Sequence, residues 1–290
     1  MTSSGDQISI LGSGWLGLPL AKELQQTGYT IKTSTRSRER LEQIHAGGVE
    51  ACLFDIESDD NELKFLQADI LIINITSKNI EAFKALIRRI EASSISKVLF
   101  ISSTSVYADS SQPNPAPITE NNVSALKPCP LLEIENLFTD NSHFETSIIR
   151  FAGLIGYQRH PGRFFLQQNE NNELSCKPIR NPDGLVNMIH RDDCIGIIQA
   201  VIKQKCWGQA FNGCSSQHPT RREFYTWAIA DYIDKKSSEK ESNNKKSIAM
   251  NFPTTDVQSY KIIDNTKVKN QLGFTFKQDD LFANKSGGAQ

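Results

Sequence analysis

The chain has no CxxC pair, no excess of charge of either sign, and no apolar run approaching the roughly 20 residues of a membrane span. Each absence excludes something. Six cysteines (52, 129, 176, 194, 206 and 214) share no metal-site spacing with the histidines, so a zinc centre is not expected. They read as small buried hydrophobes of a reducing compartment. Lys+Arg (32) nearly balance Asp+Glu (33), so no global field favours nucleic acid or a membrane surface. The segment "MTSSGDQISILGSGWLG" lacks a basic n-region before its short apolar run, and cytoplasm is the expected compartment. What is present is ordinary for a globular chain: 38% hydrophobic and 22% charged residues over 290 positions, with a mean hydropathy of -0.39.

Short apolar runs alternate with helix-like segments through the first half. The strand candidates are 7–11, 29–34, 49–54, 69–75, 97–103 and 146–151. Between them lie helices at 15–28, with Pro19 in the first turn and Gly28 as terminator, and at 37–48. In "NIEAFKALIRRIEAS", Ile80, Phe83, Leu86, Ile87 and Ile90 form one helical stripe. "LKPCPLLEIEN" (126–136) opens another helix, with Leu131, Leu132, Ile134 and Leu137 apolar. Buried strands alternating with helices predict an α/β chain with a doubly wound parallel sheet. Beyond 155 the pattern loosens. The tract 234–247 reads as a solvated loop, and "NKSGGAQ" as a disordered tail.

Gly12-Ser13-Gly14-Trp15-Leu16-Gly17 is a G-x-G-x-x-G between an apolar strand and a helix, the context a dinucleotide requires. Gly12 permits the tight turn, Gly14 lets a pyrophosphate approach the backbone, and Gly17 permits close helix–strand packing. An NAD site places an acid near the end of the second strand. Here "TSTRSRER" offers Arg36 and Arg38 and no acid before Glu39. A guanidinium suits a 2'-phosphate, so NADP is expected over NAD, with Arg36 the main contact. Asp55, Asn74, Ile75, Thr76 and Ser102 complete the cofactor-binding set.

From "FISSTSVYAD" (100–109) onward the sequence resembles the extended short-chain dehydrogenase/reductase superfamily, the NAD-dependent epimerase/dehydratase group. The segments 148–164, 186–202 and 208–233 carry the same resemblance, which spans roughly 7 to 276. It implies a Rossmann-type domain (1–156 with 180–214) and a smaller substrate lobe (157–179 with 215–285), residues 286–290 being a disordered tail. It makes Ser103 the catalytic hydroxyl that meets the reacting oxygen. It also implies a Tyr and a Lys four residues apart, for proton transfer, on the helix that opens at "LKPCPLLEIEN". Those positions fall near Lys127 and Leu131, and no Tyr lies between Tyr107 and Tyr157. The chain is therefore an atypical relative. Thr104, Tyr107 and Lys127 stand as helpers to Ser103.

"RHPGR" places Arg159, His160 and Arg163 after the sixth strand, where a doubly wound fold binds ligands. With Asn187 they form the expected substrate set, for an anionic carbonyl compound or nucleotide-sugar. A solvated surface loop is the other reading. His190 resembles a structural histidine, and Asp192 and Asp193 read as helix caps. The expected partner is a small molecule, and the chain a monomer or homodimer. Two functions stay open: an NADP-dependent oxidoreductase, epimerase or dehydratase with non-standard acid/base groups, and a dinucleotide-binding sensor without turnover.

Overall fold

A computed structural model describes residues 6–168, 174–239, 248–253 and 259–283. The elements are β1 (Gln7–Leu11), α1 (Gly17–Gln26), β2 (Thr30–Thr35), α2 (Arg38–Ala46), β3 (Glu50–Leu53), β4 (Ile70–Ile73), α3 (Ile80–Glu91), β5 (Lys97–Ser103), α4 (Pro130–Thr139) and β6 (Glu145–Phe151). The chain continues with β7 (Gly153–Ile155), β8 (Leu166–Gln168), β9 (Leu174–Cys176), β10 (Met188–His190), α5 (Arg191–Lys203), β11 (Ala210–Gly213), α6 (Arg221–Glu239) and α7 (Thr266–Leu272).

Among the described residues, seven parallel strands form one sheet in the order β3-β2-β1-β4-β5-β6-β11. Strand β4 shows why helices must cover both faces. Ile70 and Ile72 enter one hydrophobic cluster with Leu20, Leu24 and Ile198, while Leu71 and Ile73 enter another with Phe83, Leu86 and Phe138. The period-two alternation of an all-apolar strand thus serves two cores. The stripe on α3 lies in the second cluster, and its ends are settled locally. Asn79 accepts the Ala82 amide, Glu81 sits in the first turn, and Arg88 and Arg89 sit in the last. The strand order reverses between β1 and β4, so a crevice opens over their carboxyl ends.

A third cluster joins Phe224, Tyr225 and Ile229 of α6 to Ile155, Ile179, Val186, Met188 and Leu281. It lies beside β7 and β10, which pair in parallel apart from the main sheet. Three local expectations change here. Helix α6 continues through 234–239, where a loop was expected, and Asp231 and Lys235 pair one turn apart at 2.6 Å. The rest of that tract, like "NKSGGAQ", lies outside the described residues. The cap of α5 is His190, whose Nδ1 accepts the Asp192 amide. Asp193 is instead buried and accepts the backbone amides of Lys277 and Gln278.

All six cysteines are free thiols, Cys52, Cys194 and Cys214 being buried. No described helix is long and apolar enough to cross a membrane, and no described cluster has metal-ligand character.

Candidate functional site

Two clefts sit over the carboxyl ends of the central strands. The first, about 570 Å³, is lined by Gly12, Ser13, Gly14, Trp15, Leu16, Arg36, Asp55, Asn74, Ile75 and Thr76, all from the sequence-expected cofactor set. Its glycine turn is tightly packed. Gly12 has a φ of 104°, and a Cβ there would press on the Asn74 carbonyl oxygen at 2.5 Å. Gly17 lies behind the loop, where a Cβ would run into the Gly12 carbonyl. Gly14 differs: a Cβ there would meet no protein atom within 4 Å. The loop is pinned to β2, since Gly12 N donates to Ser34 Oγ (2.9 Å) and Ser13 N to the Ser34 carbonyl (3.1 Å).

These residues fit a dinucleotide. The open side of Gly14 faces no protein, and the start of α1 has no side-chain cap, which leaves amides for an anion. Trp15 lines the cleft, and its buried indole N–H finds no acceptor among the described residues. At the β2 end, Arg36 and Arg40 both line the wall, and Arg40 Nη2 donates to the Ser13 carbonyl at 3.2 Å. Arg38 starts α2 and lines neither cleft. Arg40 was absent from the sequence-derived set, although its signal was present as the third arginine of "TRSRER".

The second cleft, about 270 Å³, lies over β5, the neighbour of β4, and is lined by Ser103, Thr104 and Asn187. Ser103 is half-buried, and its Oγ accepts the Ser105 amide at 3.1 Å. Asn187 also holds the C-terminal segment: its Nδ2 donates to the Lys261 carbonyl and its Oδ1 accepts the Ile263 amide. Two cations complete the wall, Arg221 at the start of α6 and Lys261. Nothing in the local sequence marked Lys261.

Several expected site residues lie elsewhere. Ser102 alternates away from Ser103 along β5 and donates to buried Glu135 of α4 at 2.5 Å, so it is outside the cofactor cleft. Tyr107 is fully buried, donating to Asn212 Oδ1 (2.9 Å) and accepting from Arg150 Nη1 (2.8 Å). It lines neither cleft, and burial raises its pKa. Lys127 is exposed and lines neither cleft. Arg159 lines the dinucleotide cleft, over the Trp15 ring at 5.3 Å, and not the second cleft. His160 is buried and bonds Asp231 of α6 at 2.8 Å while accepting the Gly162 amide, so it ties a loop to a helix. Burial pushes its pKa down. Arg163 is exposed and donates to the Gln158 carbonyl.

The helix that opens at "LKPCPLLEIEN" contains a feature the sequence did not disclose. Glu135 is 1% exposed and receives the Nε and Nη2 donors of Arg150, the closest at 2.6 Å. Burial works to lower Arg150, but the bonds it donates to the Glu135 carboxylate raise it more and hold the guanidinium charged. The helix where a proton-transfer pair was sought thus faces the sheet with a carboxylate committed to an ion pair.

No family model matches the chain. Protein YeeZ of Escherichia coli (strain K12) is 29% identical, over 94% of this chain and 97% of that protein. A functionally unknown conserved protein from Silicibacter pomeroyi superposes with a TM-score of 0.71 at 19% identity, covering 96% of both chains. An NAD-bound short-chain dehydrogenase/reductase superfamily protein from Agrobacterium tumefaciens gives 0.70 at 16% identity, over 97% of this chain and 96% of that one. UDP-glucuronic acid 4-epimerase from Bacillus cereus, in complex with UDP-glucuronic acid and NAD, gives 0.70 at 18% identity, over 97% and 98%. The chain has the fold of these proteins.

Proposed function

We propose that this chain, built on the extended short-chain dehydrogenase/reductase fold, binds NADP(H) across its glycine loop and acts on a small anionic carbonyl compound or nucleotide-sugar over β5. The reading rests chiefly on one conjunction: the open side of Gly14 and the cations Arg36 and Arg40 share a cleft next to the one that holds Ser103. Gly12 to Leu16 and the start of α1 hold the pyrophosphate, and Asp55, Asn74, Ile75 and Thr76 form the opposite wall. Arg36 and Arg40 take the 2'-phosphate by charge-assisted hydrogen bonds. When bound, the dinucleotide supplies or accepts a hydride. Ser103 orients the reacting oxygen: its Oγ already accepts the Ser105 amide, which leaves its own proton to donate. The lobe formed by 157–179 and 215–285 carries the substrate.

Fluorescence titration tests the cofactor assignment. NADPH is expected to bind about tenfold or more tightly than NADH, the worth of one charge-assisted bond. Tighter NADH binding overturns the assignment of Arg36 and Arg40.

The second reading, dinucleotide binding without turnover, is favoured by one observation: α4 spends its buried carboxylate, Glu135, on Arg150 and presents no Tyr/Lys pair. NADPH binding without redox change on any carbonyl or nucleotide-sugar panel would select it.

A further inference from the structure

We propose that Lys261, delivered by the C-terminal segment and not by α4, is the group that gives a proton to the substrate oxygen beside Ser103. This rests on the reading of the chain as an NADP(H)-dependent carbonyl enzyme. Lys261 and Ser103 line the same cleft. The ammonium is held against the Ser103–Tyr107 turn, since Nζ donates to the Tyr107 carbonyl at 3.1 Å and to Asp109 Oδ1 at 2.7 Å. An ammonium has three N–H donors, and these two acceptors leave one for a ligand. The side chain is only 14% exposed, so much of its rotamer freedom is already lost before substrate arrives. Its backbone is equally fixed. Asn187 brackets it from β10's approach, and Tyr260 forms an antiparallel bridge with Ser110.

In the reduction direction, hydride reaches the carbonyl carbon and a C–H bond forms. The C=O π pair moves to oxygen, which takes a proton as an Nζ–H bond breaks. Lys261 is left as a neutral amine and regains its proton from solvent. Oxidation runs the same steps backwards. An alkoxide is far more basic than an amine, so the transfer to oxygen is downhill. Ser103 donates its hydrogen bond to the same oxygen. Arg221, on the α6 wall, suits the anionic end of the substrate, and the Asn181 side-chain oxygen there is buried without a partner among the described residues. Tyr260 lines the cleft as well; its hydroxyl accepts the Asn114 amide at 3.1 Å and keeps its own proton, so it is the rival donor that Tyr260→Phe tests.

Three variants test this on the full chain: Lys261→Met, Lys261→Arg and Tyr260→Phe, each with an NADPH titration. All three are expected to keep NADPH affinity within about threefold of wild type, since none lines the dinucleotide cleft. Lys261→Met and Lys261→Arg are expected to lose about 100-fold or more in kcat, the usual weight of a general acid, and Tyr260→Phe less than about tenfold. Arginine keeps the charge and the bonds to Tyr107 and Asp109, but it does not release a proton. Full turnover in either Lys261 variant overturns the assignment. A cofactor-free readout stands beside it. Pyridoxal 5'-phosphate, an anionic aldehyde, forms an imine at an accessible amine with loss of water, and borohydride fixes it. Peptide mass mapping is expected to find the adduct on Lys261, and labelling of other lysines alone overturns the proposal. NADPH binding without turnover on any carbonyl panel removes Lys261 as a catalytic residue and leaves the cofactor reading intact. Failure of wild type to bind NADPH brings down that reading itself, and the proposal with it.

Discussion

The two clefts are built by different means. The dinucleotide cleft is centred on one short stretch, a glycine turn and uncapped helix start set against the ends of β1, β2 and β4. The cleft over β5 is gathered from dispersed residues, 103–105, 109, 181, 185–188, 221 and 259–261, and its polar side chains carry its chemistry. Behind it lies a buried chain of bonds that runs from Ser102 through Glu135, Arg150 and Tyr107 to Asn212. A site centred on one backbone turn shows in one stretch of sequence. A side-chain-built site is assembled by topology, and its support can sit in an element that reads as inert.

The sharpest way to break this comparison is to disturb the support. Glu135→Gln leaves the Arg150 charge buried and half-partnered, and is expected to cost about 3–5 kcal/mol in urea unfolding. Pairing Glu135→Leu with Arg150→Met is expected to recover most of that loss, because no charge then remains buried. A single-variant loss below about 1 kcal/mol would show that the pair does not underpin this half of the molecule.

On the backbone side, binding and stability are expected to separate. Gly14→Asp adds a side chain into open space, so the fold holds while NADPH binding falls about 100-fold or more through like-charge contact. Gly17→Ala drives a Cβ into the Gly12 carbonyl and is expected to cost about 1–3 kcal/mol of stability. Equal stability losses in the two variants would erase the distinction between the glycine that faces ligand and the one that faces protein.

A smaller effect sharpens cofactor choice. Arg36→Ala or Arg40→Ala is expected to weaken NADPH about tenfold each while NADH changes little, a difference that shrinks with salt. Equal losses for both nucleotides would move these arginines away from the 2'-phosphate.

The smallest effect is on pH dependence. Burial pushes the pKa values of His160, His190 and His218 below their ordinary 6.5. The unfolded chain then takes up protons first as pH falls, so their contribution to stability is present above about 6.5 and is lost on acidification towards the folded values. Glu120 and Asp193, raised by burial, act with the opposite sign from about pH 4 upward. His160→Gln is therefore expected to flatten the fall of the urea midpoint between about pH 7.5 and about pH 5.5. An unchanged slope would mean that His160 takes its proton as readily folded as unfolded.

How much was legible follows the same division. The strand over 97–103 and the stripe on α3 could be read because hydrophobic period alone sets them. The glycine loop could be read because Gly12 and Gly17 answer to the loop itself and to Asn74 just past the adjacent strand, while Gly14 keeps its side open. Charge in a loop near the strand ends says nothing about direction: His160 turns inward to Asp231, while Arg163 is exposed, as the surface-loop reading has it. Ser102 was misread by one residue of strand alternation. Glu135 gave no signal, since one acid in a helix looks like any exposed acid until its partner, 15 residues away, is known.

The sequence by itself determined the doubly wound sheet, the glycine loop and the absence of a Tyr/Lys pair on α4, all properties of short stretches. The tertiary structure decided which polar side chains face a cleft. Lys261 shares a cleft with Ser103 because Asn187 and Ser110 draw residues 260–263 across the lobe. Glu135 is removed from solvent only because β6 brings Arg150 beneath it. Burial and long-range pairing are what turn such residues into a site or a support, and neither is a property of the chain read in order.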